Sequence, residues 1–152
     1  MKKRVLVLIT LCTVLLTGCG VKFDITPTDL QAYAIENDFT YADVTDQYGY
    51  SYLDGVYVIE NSMDDVHIEL WDFDNIEDAH KWFEENINQM KGRSNSFSGY
   101  SAKTNGEYDF VVSKRDMVYH ILFSGNKGIY ASGHGKNTIN KMLIGLHVME
   151  GE

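Results

Sequence analysis

Residues Tyr100 to Ser132 read YSAKTNGEYDFVVSKRDMVYHILFSGNKGIYAS, and four strands can be set out in them. The first two, over 100–104 and 107–113, flank Asn105-Gly106, the dipeptide best suited to the two positive φ angles of a tight hairpin turn. Lys114-Arg115-Asp116 turns the chain again. The stretch 117–124 is rich in the β-branched and aromatic residues that strands favour. Gly125-Asn126-Lys127-Gly128 then leads into a short strand over 129–132. Strands joined by turns this short pair antiparallel, because a parallel pair needs a crossover of about a dozen residues or more.

Working outward, 56–60 and 66–73 form a further hairpin around the turn 61–65. In its second strand Val66, Ile68 and Leu70 face one way, and His67, Glu69 and Trp71 face the other, toward solvent or a rim. Between the two strand groups, Asp74-Asn75-Ile76-Glu77 reads as a capping box with Asp74 as N-cap. The helix it opens runs to Lys91 and stops at Gly92, with Ile76, Ala79, Phe83, Ile87 and Met90 as its apolar stripe, widened by Trp82. Thr26-Pro27-Thr28-Asp29 opens another helix over 27–37: Thr26 caps, Pro27 takes the first helical position, and Asp29 closes the box. After it, 39–47 alternates loosely and reads as extended. A last helix, capped by Asn137 or Thr138, carries Ile139, Met142, Leu143 and Leu146 on one face. The order is α-β-β-α-β-β-β-β-α. Runs of strands without βαβ alternation imply an α+β fold. The expected architecture is two-layered: an antiparallel sheet of four to six strands with helices packed mainly on one face.

The amino end speaks to address. Met1-Lys2-Lys3-Arg4 is basic, and Val5 to Leu16 is broken only by Thr10 and Thr13. Crossing a bilayer takes roughly 20 apolar residues, so this run is too short to span and has the form of a signal-peptide core. It ends in Leu16-Thr17-Gly18-Cys19. Basic start, apolar run and this tetrapeptide together resemble the signal and lipobox of bacterial lipoproteins. The resemblance implies a diacylglyceryl group on the Cys19 sulfur, cleavage between Gly18 and Cys19, and anchoring at the extracytoplasmic face of the cell membrane. Two or more acyl chains give stable anchoring where one gives marginal binding. The expected divisions are a signal peptide over 1–18, a lipidated tether over 19–25, and a single domain over 26–150. The body is similar in pattern to the small α+β lipoproteins of low-GC Gram-positive bacteria.

Of the two cysteines, Cys12 leaves with the signal and Cys19 takes the lipid, so the mature body has no disulfide and must be held by packing. Removing residues 1–18 takes away three positive charges and moves the formal net charge from −9 to −12. So acidic a body lacks the basic footprint that nucleic acid demands. It is also repelled from anionic headgroups, which leaves the acyl chains to hold the membrane.

The stretch Tyr48-Gly49-Tyr50-Ser51-Tyr52 places three tyrosines at spacing two, on one face of an extended strand. They are the candidate binding surface, as an aromatic platform for a sugar or peptide, against the plainer reading of rings packed on the domain. His67 and His80 flank Asp72-Phe73-Asp74 and make a second candidate pair for metal or catalysis. No histidine has a zinc-site spacing such as H-x-x-x-H. Asp72-x-Asp74-x-Ile76-x-Asp78 begins like a calcium loop, but Ile76 stands at the fifth position and the turn glycine is absent. Gly133-His134-Gly135-Lys136 could offer backbone N–H groups to an anion, but lacks the P-loop frame and reads as a strand-to-helix turn. No catalytic residues, metal ligands or cofactor motifs stand out. The expectation is a lipid-anchored envelope protein with a binding or accessory role, held to the membrane through Cys19 and meeting an envelope partner. The alternative is a small envelope enzyme or metal-binding protein using His67, His80 and nearby acids.

Overall fold

The computed structural model describes residues 21–63, 65–113 and 115–150. Leu16, Thr17, Gly18 and Cys19 lie outside the described residues. Three helices and seven strands follow in the order α1 (Pro27–Glu36), β1 (Thr40–Asp43), β2 (Leu53–Asn61), β3 (Val66–Phe73), α2 (Ile76–Lys91), β4 (Ser96–Ser101), β5 (Asn105–Val112), β6 (Met117–Ser124), β7 (Lys127–His134) and α3 (Lys136–Gly145). All seven strands join one antiparallel sheet in the spatial order β1-β2-β3-β7-β6-β5-β4. The α+β class is as expected. The strand number exceeds the expected four to six because β1, from the loosely alternating 39–47 stretch, pairs along β2 from Thr40↔Glu60 to Asp43↔Tyr57.

Helices cover both faces of the sheet, which makes three layers rather than two. On one face Leu30 and Ala34 of α1 and Ile139, Met142 and Leu143 of α3 pack on Ile59, Ile68, Leu70, Leu122 and Ile129. On the opposite face Ala79, Phe83, Ile87 and Met90 of α2 pack on Val56, Trp71, Phe73, Phe110, Ile121 and Phe123. The alternation in β3 therefore does not separate core from solvent. Trp71, expected to face water or a rim, is buried together with Phe73 because α2 lies over them. For α2, only Ile76 of the expected stripe is exposed.

Local signals locate the three helices, but the expected cap is found only at α1. Thr26 Oγ1 accepts from the Asp29 N–H and the Asp29 carboxylate accepts from the Thr26 N–H, closing the box that starts α1. At α2 the cap shifts by one residue: Asn75, not Asp74, accepts from the Asp78 N–H. Gly135, with φ +81°, is the N-cap of α3, in place of Asn137 or Thr138.

Two expectations fail for reasons outside the local sequence. Asn105-Gly106 lies inside β5, and the chain turns at 102–104, where the Ala102 N–H donates to the Asn105 carbonyl. Gly106 serves packing: a Cβ there would sit 2.7 Å from Phe83 Cζ, so its absence lets α2 approach the sheet. Gly128 likewise makes room for Trp82. Part of the expected tether over 19–25 is also packed against the domain. Phe23 and Ile25 are buried in the core of the α1/α3 face, the Phe23 N–H donates to Ser124 Oγ, and Lys127 Nζ donates to the Ile25 carbonyl. Two large apolar side chains in five residues gain more by burial than by staying in water.

Candidate functional site

One helix cannot cover a seven-stranded sheet. On the α2 face, two hollows remain along the flank of the helix, and both are lined by Asn86 and Gln89. The first, about 210 Å³, is lined by the three tyrosines, Trp71 and Trp82. The second, about 370 Å³, has His67, Glu69, Tyr119, Tyr130 and Ser132 on its floor and Arg93 at its edge. Together they form a groove, aromatic at one end and polar at the other.

The tyrosine stretch builds the aromatic end, but not as a strand. A 3-10 turn over Thr45–Gln47 precedes Tyr48, and Gly49 takes φ +61°. That left-handed residue breaks the two-residue alternation, so the rings diverge. Tyr48 packs edge-on against Trp71 at 4.6 Å between centroids. Tyr50 and Tyr52 stack on each other at 5.1 Å with planes 16° apart, and Tyr52 continues the stack onto Phe73. The loop is fixed at its ends: Thr45 Oγ1 accepts from the Val56 N–H, and the Asp74 N–H donates to the Tyr52 carbonyl. Tyr50 is 52% exposed and Tyr52 38%, so ring surface is held in place yet open to solvent. Trp82 leans on Trp71 at 5.6 Å from the helix side. Asp78, Lys81, Glu85, Asn86 and Gln89 supply hydrogen-bonding groups from α2. Burial raises the Tyr48 and Tyr52 hydroxyls above the ordinary phenol range, with Glu69 adding to Tyr48 and with Tyr50, Glu85 and Asp78 adding to Tyr52. Both stay neutral donors at physiological pH.

At the polar end His67 stands between two carboxylates, with Nδ1 2.7 Å from Glu60 and Nε2 2.7 Å from Glu69. Glu69 also accepts from the Trp71 indole N–H at 2.6 Å, which links the two ends. The Glu69 contact first, and Glu60 with it, raise the imidazole above its ordinary value despite burial acting the other way. Burial pushes the Tyr130 hydroxyl up as well.

His80 is not part of this constellation. It packs on Phe123 and approaches Glu84, one helical turn on. His67 is opposite Ser132 on β7, whereas Phe123 is opposite Gly128. Those positions are about 13 Å apart along the strand. The expected pairing of His67 with His80 is therefore not formed.

A second polar cluster lies across the sheet, on the α1/α3 face. Glu107 and Asp109 alternate along β5, and His120 is directly opposite Asp109 on β6. One ligand atom from each lies within 4.8 Å of the others. Lys136, the first residue of α3, donates from Nζ to Asp109 Oδ2. Burial, then Asp109, pushes the Glu107 carboxyl up. For Asp109 burial pulls upward too, but His120 and Lys136 outweigh it and hold the carboxyl below its ordinary value. Spacing along the chain could not find this group, because its members meet through the β5–β6 register. The available signal was the alternation Glu107-x-Asp109 in a strand.

No family model and no curated protein matches the chain. Among solved structures, a GTP-binding regulator from Thermotoga maritima is similar at 15% identity and a TM-score of 0.49, over 80% of this chain and 84% of that one.

Proposed function

We propose that this protein is a lipid-anchored binding protein of the bacterial envelope, and that the groove beside α2 takes a saccharide of that envelope. The supporting observation is the Tyr50–Tyr52 stack, half-exposed at the mouth of a hollow ringed by Trp71, Trp82 and amide and carboxylate side chains. Sugars present apolar C–H faces and a rim of hydroxyls. Flat aromatic surface takes the first, and Asn, Gln, Asp and Glu take the second. The basic start, apolar run and Leu16-Thr17-Gly18-Cys19 support the anchor. With Phe23 packed, three residues separate it from Cys19, about 10 Å of extended chain. The acidic body then stands close to the bilayer without adhering to its headgroups.

Co-sedimentation with purified cell walls tests the ligand, and membrane fractionation tests the anchor. Wild type is expected in the wall pellet, and the Tyr50→Ala/Tyr52→Ala double variant in the supernatant. Cys19→Ser is expected to leave the membrane fraction while still pelleting with walls. Equal wall binding by wild type and the tyrosine variant would overturn the ligand assignment. Membrane retention of Cys19→Ser would overturn the anchor.

A further inference from the structure

We propose that Glu107, Asp109 and His120 form a binding site for a divalent first-row transition metal, with Lys136 as a built-in cation that competes with the ion for Asp109. His120 is wholly buried and Asp109 nearly so. Asp109 Oδ1 and both His120 ring nitrogens are buried without a hydrogen bond of ordinary geometry, although His120 Nδ1 lies only 2.7 Å from Asp109 Oδ1. Buried polar atoms are normally paired; here Nε2 of a wholly buried imidazole has no hydrogen-bond partner among the described residues, and Nδ1 faces two carboxylates that could share a metal ion with it.

The donor set names the class. One imidazole and two carboxylates suit zinc and its neighbours in the first row; calcium and magnesium prefer all-oxygen sites. Ligand atoms about 2 Å from a tetrahedral ion are about 3.3 Å apart. The His120 Nδ1 separations from Asp109 and Glu107, 2.7 and 3.8 Å, bracket that value. The ligands stand on adjacent paired strands, a rigid frame. Glu107, with its side chain 25% exposed, is the ligand in contact with solvent, and β4 beside it is exposed along its length. Three protein ligands leave a fourth position for water or another ligand.

Charge explains the role of Lys136. Glu107 and Asp109 bring two carboxylates to the cluster and Lys136 one ammonium, and burial of carboxylates calls for positive charge beside them. A dication supplies it, and Lys136, half-exposed, can withdraw into solvent. This site is independent of the groove, which lies on the other face of the sheet.

The test is a Co²⁺ titration of the full-length protein followed by visible absorption, with Zn²⁺ competition for affinity. One ion per chain is expected, giving the visible bands of a nitrogen–oxygen site. Glu107→Gln, at a partly exposed position, is expected to weaken binding about tenfold or more. Lys136→Met is expected to tighten it on the order of fivefold; a purely structural Lys136 would give no such gain. Thermal melts of both variants confirm folding. Absence of a saturable spectrum in the wild type would overturn the proposal. Wild-type affinity in both variants would overturn it too, by placing the ion elsewhere.

Discussion

The two faces of the sheet solve the same burial problem with different material. On the α1/α3 face the buried core is largely aliphatic, with Phe23 its one ring among the described residues, and two helices with the packed 21–25 segment close it. On the α2 face the core is largely aromatic, and one helix is seated on it. The aliphatic layer is closely packed against the sheet, and its hollow, about 330 Å³, lies outside it between α1 and the end of α3. Large rings around a single helix leave edges and hollows. The two faces share the work of stability, and the aromatic face also leaves the groove beside α2. The same rings serve both ends, since Trp71 and Phe73 are core residues whose neighbours Tyr48 and Tyr52 line the opening.

The largest expected effects come from emptying each core in turn. Phe83→Ala on the aromatic face should cost about 3–5 kcal/mol, and Leu143→Ala on the aliphatic face about 2–5 kcal/mol, both read by urea unfolding. Both residues are fully buried. The comparison sharpens in the emission of Trp71 and Trp82, the only tryptophans in the chain. Phe83→Ala should shift the native spectrum, and Leu143→Ala should leave it unchanged. A shift in both would mean that the faces are mechanically coupled.

A smaller effect is expected at Gly128, where a Cβ would sit 2.5 Å from Trp82 Cζ3. Gly128→Val should cost about 1–3 kcal/mol through overpacking and displace Trp82 into the groove. Unaltered tryptophan emission would show that the ring is not seated there.

How much of this was legible in the chain follows the range of the forces involved. The α1 capping box and the span of α2 depend on residues three or four apart, and they read correctly. Strand β1 was faint because four mostly exposed residues carry little pattern, and only pairing with β2 defines them. Asn105-Gly106 carries a strong turn signal, but the ring of Phe83, more than 20 residues away, claims Gly106 for packing. The three tyrosines do not share one face of a strand, since Gly49 in a left-handed conformation ends the alternation. By pattern alone Trp71 is a rim residue and Trp82 widens a helical stripe. Their meeting requires α2 to lie on the face opposite α1 and α3, which no local pattern states.

The smallest expected effect is a pH dependence confined to the aromatic face. The raised His67 value means that its ion pairs contribute fully below the imidazole's ordinary value of 6.5 and fade as pH rises through the higher folded value. Wild type should therefore lose stability relative to His67→Gln between about pH 6 and pH 8, by less than about 1 kcal/mol because the pairs are partly exposed. Urea midpoints at the two pH values check it, and a parallel pH response in both proteins would remove His67 as the cause.

Titration of the full-length protein with an N-acetylglucosamine tetramer, followed by tryptophan emission, tests the central claim most directly, because both reporters line the groove. The account predicts a saturable change in emission in the wild type and an affinity about tenfold weaker in Tyr50→Ala/Tyr52→Ala. A flat titration with this sugar and with soluble peptidoglycan fragments, or equal affinity in the two proteins, would contradict it.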